Sequence, residues 1–123
     1  AIRYVTNGSY LATIREFEAI PCSAEMEPLK ARLVEMANKF EASMAKVKES
    51  QDQELLDFVA RRLMEMAADI IMVHLLIQDA TKAPELFAKS AVVYTNYVEA
   101  EIEKHQGYIG RFNPEELISY RQR

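Results

Sequence analysis

The sequence contains few of the residues that mark a disulfide-bonded, turn-rich or membrane-spanning protein. Its single cysteine, Cys22, cannot form an internal disulfide, which favours a reducing, cytoplasmic setting. It has three glycines, four prolines and no tryptophan, too few turn residues for a turn-rich β architecture. The longest apolar stretch, residues 70–77, is interrupted by His74 and is far shorter than the ~20 residues that cross a bilayer. We therefore expect no transmembrane segment.

The sequence also lacks any long block of charges of one sign. The formal net charge of -4 comes from 15 basic and 19 acidic residues spread along the chain, so we expect no nucleic-acid partner. With 50% hydrophobic and 28% charged residues among 123, the composition is typical of one globular helical domain. The chain begins at Ala1 with neither a leader pattern nor an initiator methionine. This start favours a piece of a longer polypeptide.

Apolar residues recur three or four positions apart in three long segments, which predicts three bundle helices. We expect them over 28–49, 53–78 and 84–105, with Gly107 and Gly110 ending the last. A short helix is expected at about 10–19 and another after Asn113. We predict an all-α, antiparallel up-and-down bundle in a single domain of residues 1–123. Its parts are a linker and short helix (1–22), the bundle core (23–106) and a short terminal helix (111–123).

Specific core positions follow from the same spacing. The buried stripes are predicted to consist of Leu29, Leu33, Met36, Phe40, Met44 and Val47, then Leu55, Leu56, Val59, Leu63, Met66, Ile70, Val73 and Ile77, and finally Phe87, Ala91, Tyr94, Val98 and Ile102 with Tyr97 beside them.

The second long segment is apolar on more than one face from residue 64 onward. A helix that is apolar nearly all round is buried nearly all round, so this helix is either the centre of the bundle or a face that meets another subunit or domain. For the second alternative we predict a docking interface formed by Met64, Ala68, Ile71, Met72, Leu75 and Leu76.

Few residues are candidates for chemistry, and each has a simpler structural explanation. His74 lies among apolar residues without a Glu-x-x-His companion, so we interpret it as a packing or interface histidine. Glu101 and His105 share a helix face, but we interpret them as a solvated helix end. Cys22 has no evident basic neighbour that would activate it. The sequence thus predicts no catalytic, cofactor-binding or metal-binding residue in these 123 positions.

Two stretches, Met66 to Ala80 and Ala91 to His105, resemble the helical C-terminal extension of a class of bacterial acyl-CoA dehydrogenases. The resemblance implies an accessory domain, for assembly or docking, of a flavoprotein whose catalytic core lies outside this chain. That parent enzyme would use FAD to oxidise acyl-CoA to 2-enoyl-CoA and would pass electrons to an electron-transfer flavoprotein. Its implied partners are the core of the same polypeptide and further copies of itself. The chain itself would bind no cofactor.

An alternative rests on the same apolar helix and on the six methionines. A free-standing helical module that binds a partner helix or a membrane surface would also carry such features. A ferritin-like metal enzyme is disfavoured by the ligand spacing, because Ile102 stands where a second ligand would be needed.

Overall fold

The computed structural model describes residues 8–49 and 53–111, which form four α-helices and contain no strand. We number the helices α1 (Ser9–Glu18), α2 (Glu27–Glu49), α3 (Gln53–Lys82) and α4 (Pro84–Arg111), with a 3₁₀ turn at Ala24–Met26. The all-α bundle with three long helices is therefore confirmed, as is the short first helix. The predicted terminal helix falls almost entirely on residues 112–123, outside the described residues. The division into 1–22, 23–106 and 111–123 stays a prediction.

Very short connections fix the direction of the three long helices. Residues 50–52 separate α2 from α3, and Ala83 alone separates α3 from α4, so each pair runs antiparallel. Pro84 explains the second break, because proline lacks the amide proton of a helix interior and disfavours helical backbone in the preceding residue. The predicted gap between these helices was wider; helix α3 instead continues to Lys82.

Helices α2 and α4 consequently run in the same direction and are joined by polar contacts. Arg32 donates to both carboxylate oxygens of Glu99, at 3.2 and 3.0 Å, and to the side-chain oxygen of Asn96 at 2.7 Å. Further along, Lys46 donates to the carbonyl oxygen of Gly110 at 2.6 Å. The two contacts have similar sequence offsets, as parallel helices require.

The core consists largely of the residues that the helical spacing predicts. All six predicted α2 positions are buried, as are the described α3 positions from Val59 onward. Helices α2 and α3 each pack against the other three helices, and α3 has the most extensive contacts, chiefly with α4, so it lies nearest the centre of the bundle. In α4 the pattern holds for Ala91, Val98 and Ile102, but it is wrong for Tyr94, which is exposed.

Helix α1 covers the side of the bundle opposite α4. Ile14 is completely buried in the common core, and the ring of Phe17 stacks on His74 with centroids 5.7 Å apart. The segment between α1 and α2 contacts the C-terminal end of α3. There the backbone N–H of Ser23 donates a hydrogen bond to the hydroxyl of Thr81 at 3.1 Å.

Helix α4 continues through both glycines that were predicted to end it. Neither has a positive φ; in the described residues Gly8 is the glycine with one. The last turns are held by packing, because Ile109 is buried in the core and Tyr108 packs beside it. Burial of these side chains outweighs the ~1 kcal/mol by which glycine disfavours a helix.

Candidate docking surface

The predicted docking residues of α3 divide into an exposed centre and half-buried edges. Ala68, Met72 and Leu75 lie on the solvent side of the helix, with exposed fractions of 39% for Met72 and 47% for Leu75. Three residues flank them and pack partly against the core: Met64, Ile71 and Leu76. We call these six residues the α3 surface. Although α3 lies nearest the centre of the bundle, the α3 surface is left without a covering helix among the described residues.

A second group of exposed apolar residues lies on α4, where no docking surface was predicted. Leu86, Val93 and Tyr97 are 70%, 65% and 58% exposed, and Ser90 lies between them. Their spacing of four, three and four residues puts all of them on one helix face. We call this face the α4 stripe. The same spacing is visible in the sequence and could have identified this face, but Tyr97 was assigned a place beside the predicted inner stripe, and its 58% exposure corrects that assignment.

The two apolar surfaces lie on neighbouring helices, and polar contacts establish the register between them. Arg62 faces Tyr108, and Glu65 faces His105, across the antiparallel pair α3 and α4. Continuing that register along both helices places Leu76 level with Tyr94. The exposed ring of Tyr94, in edge contact with Tyr97 at 6.1 Å, therefore lies between the α3 surface and the α4 stripe.

A polar network lies at the other end of the α3–α4 seam. His105 is buried, so its interpretation as part of a solvated helix end was wrong. The Arg62 guanidinium donates to His105 Nδ1 at 3.3 Å and lies 3.7 Å from the Tyr108 ring centroid. Because arginine has only donors, Nδ1 is the acceptor and Nε2 carries the proton. Nε2 then points at a Glu65 carboxylate oxygen, 3.3 Å away.

Burial controls the protonation of this network. It lowers the pKa of His105, although the nearby Glu65 carboxylate acts in the opposite direction. It raises the pKa of Asp69, which also faces the negative charge of Glu101. The hydrogen bond from Lys104 lowers the pKa of Glu101. Among the described residues no three histidine, cysteine or acidic side chains converge closely enough to hold a metal. The geometry is that of a neutral histidine that orients its neighbours.

His74 is packed inside the bundle on the opposite side of α3. Its side chain is buried and stacked on Phe17, and its Nε2 has no hydrogen-bond partner among the described residues. Burial lowers the pKa of His74 to about 4, and the positive charge of Lys30 adds to the effect. The imidazole is therefore neutral near pH 7, as packing inside an apolar core requires.

Cys22 is half-buried in the segment between α1 and α2. Its thiol donates to a Glu27 carboxylate oxygen at 3.5 Å. Burial raises the pKa of the Cys22 thiol, and the hydrogen bond to Glu27 raises it further. A protonated thiol is a poor nucleophile, so this environment does not activate the cysteine.

Comparisons with known proteins agree on one family. A family model described as the C terminal of acyl-CoA dehydrogenase matches residues 6–117. A solved crystal structure, an acyl-CoA dehydrogenase family protein from Porphyromonas gingivalis, is similar with a TM-score of 0.87 and 44% sequence identity. That match covers 93% of this chain and 98% of the other chain. The search of curated proteins returned no match.

Proposed function

Because this chain belongs to the acyl-CoA dehydrogenase C-terminal family, we propose that it is the accessory domain through which such an enzyme assembles or docks. The α3 surface supports this proposal. Met72 and Leu75 expose apolar side chains at the centre of the most apolar helix, although the bundle already buries the opposite face. Exposed apolar residues grouped in this way are typical of a surface that contacts another protein.

The parent enzyme, in this proposal, binds FAD in a catalytic core outside these residues and oxidises acyl-CoA to 2-enoyl-CoA. The core of the same polypeptide covers the α3 surface, and an electron-transfer flavoprotein takes the electrons. We also propose a cytoplasmic location, which suits the lone Cys22. In the described part of the chain no helix is long and apolar enough to cross a membrane.

The experiment compares the full-length enzyme with a double variant, Met72→Gln with Leu75→Gln. We expect the double variant to weaken assembly, seen as a lower mass in light scattering or a lower melting temperature of the holoenzyme. A matched control is Val92→Gln, which changes an equally exposed apolar residue on α4. Wild-type assembly, stability and kinetics in the double variant would overturn the proposal.

The reading frame offers a separate and cheaper test. If it contains no flavin-binding core, the accessory-domain proposal fails, and a free-standing interaction module takes its place. Binding of the isolated chain to a partner protein or to lipid vesicles would then be measured directly.

A further inference from the structure

The α4 stripe is unusual because its centre points directly away from the bundle. Leu86 and Val93, seven residues apart, lie opposite the buried residues Ala91, Val98 and Ile102. Small residues, Ser90 and Ala100, occupy the same outward side, and Lys104 follows on that side beyond the stripe. This alternation of large apolar and small residues at steps of three and four is the pattern of a helix that pairs with another helix.

We propose that the α4 stripe pairs with the same stripe of a second copy of this chain. The two α4 helices run antiparallel around a two-fold axis that passes between the two stripes at the level of residue 95. Such a contact is isologous, with one surface patch used twice. It uses a different helix face from the α3 surface and does not require a catalytic core.

Antiparallel pairing about this axis brings apolar residues into register. Val93 faces Tyr97 of the partner subunit, and Ser90 faces Ala100 of the partner subunit. The two-fold axis repeats each contact, so the centre of the interface contains two valines and two tyrosines. A tyrosine ring packed across a valine buries a large apolar area while its hydroxyl can stay at the wet rim.

The charges beside the stripe are complementary in the same register. Lys89 lies on the flank next to α2 and, among the described residues, has no ion-pair partner. The pairing places it near Glu103 of the partner subunit, on the matching flank, as antiparallel helices require. Glu103 is 62% exposed and only loosely paired with Lys39 at 3.7 Å, so it can accept a second cation. The two-fold axis creates two such pairs.

The alternatives to this register are worse electrostatically. A parallel pair would set Lys104 against Lys104 of the partner subunit in the contact line, which is repulsive. An antiparallel pair shifted by seven residues would set Leu86 against Tyr97 of the partner subunit, but it would separate Lys89 from Glu103 of the partner subunit. In the proposed register Leu86 instead lies against the alkyl stem of Lys104 of the partner subunit, and the two ion pairs favour this arrangement.

Sedimentation of the 123-residue chain over the micromolar range tests the pairing, since one helix pair is a small interface. We expect a dimer whose population rises with concentration. Val93→Glu should weaken association by more than about tenfold, because it sets two carboxylates into the apolar centre. Val92→Glu, one residue along on the α2 side, is the matched control and should leave association unchanged.

Charge reversal tests the register. Lys89→Glu or Glu103→Lys alone should weaken the dimer about tenfold, since two attractive pairs become repulsive. The double variant should restore association to within about threefold of wild type. Circular dichroism of each variant checks that the bundle is still folded. A double variant that is weaker than either single variant would contradict the proposed register.

Disulfide trapping provides an independent readout. In a Cys22→Ala background, the double variant Val93→Cys with Tyr97→Cys places thiols that face each other across the proposed interface and should form a covalent dimer on mild oxidation. Ser90→Cys, far from its own symmetry mate, should not. A chain that stays monomeric at all concentrations and forms no covalent dimer through the cysteines at positions 93 and 97 overturns the proposal; the stripe would then be a surface for another protein.

Discussion

Two buried histidines show how burial sets the chemistry of single residues in this bundle. Little water reaches either His74 or His105 to solvate a positive charge. Burial therefore lowers the pKa of each imidazole. His105 has partners for both ring nitrogens, whereas Nε2 of His74 has none in the described part of the chain. The two residues therefore respond differently to substitution.

We predict that His74 makes the protein less stable in acid. The unfolded chain binds a proton at His74 near pH 6.5, but the folded chain does so only near pH 4. Above pH 6.5 His74 is neutral in both the folded and the unfolded chain, so its contribution to the free energy of unfolding is fully present. It is lost as the pH falls toward 4, by on the order of 3 kcal/mol. Chemical denaturation at several pH values measures it.

The variant His74→Leu isolates this effect, because leucine cannot titrate. Its free energy of unfolding should depend less on pH between 4 and 6.5, with a residual slope of the same sign from His105. If the variant and the wild type show equal slopes, burial does not depress the pKa of His74.

Arg62 is predicted to stabilise the α3–α4 seam through His105 and Tyr108. Arg62→Met leaves Nδ1 of the buried His105 without a donor and removes the cation from the Tyr108 ring. We expect a loss of about 1–3 kcal/mol in the free energy of unfolding. Arg62→Lys keeps the charge and one donor, so it should cost less. Equal stability of Arg62→Met and wild type would show that the network contributes nothing.

At the scale of a helix, the end of α4 shows packing overriding local preference. Gly107 is in helical backbone, and nothing lies within 4 Å of the position that an added Cβ would occupy, so Gly107→Ala should stabilise by up to about 1 kcal/mol. Gly8 also has open space, but its φ is +89°, so Gly8→Ala should destabilise. Thermal melts compare the two. A destabilising Gly107→Ala would mean that α4 ends before residue 107.

The sequence predicts those helix faces whose burial depends on one helical period. The α2 stripe from Leu29 to Val47 is confirmed throughout, because an amphipathic helix with one polar side has one way to face the core. Tyr94 was misassigned because aromatic residues satisfy the spacing of both a core and an exposed rim. The spacing that places Ile102 inside also places His105 inside, three residues on, but its polar side chain led to the assignment as a solvated end. Its partners Arg62 and Glu65 lie on another helix, and the sequence alone does not reveal them.

At the scale of the whole molecule, the question is whether α1 belongs to the same cooperative unit as the long helices. Ile14 is completely buried in the common core, and Arg15 bonds to Glu18, Asn38 and Glu41, the last two on α2. Phe17 covers His74 on α3. These contacts join α1 to both central helices, although the sequence alone divides the domain at residue 22.

We predict that Ile14→Ala destabilises the whole bundle rather than α1 alone. Removing this buried side chain should lower the global free energy of unfolding by about 2–5 kcal/mol, in one transition. Hydrogen exchange separates the alternatives. In a cooperative bundle the most protected amides of α2 and α3 lose as much protection as those of α1. If protection falls only in residues 9–18, α1 is an appendage, and the division at residue 22 describes the energetics better than the shared core does.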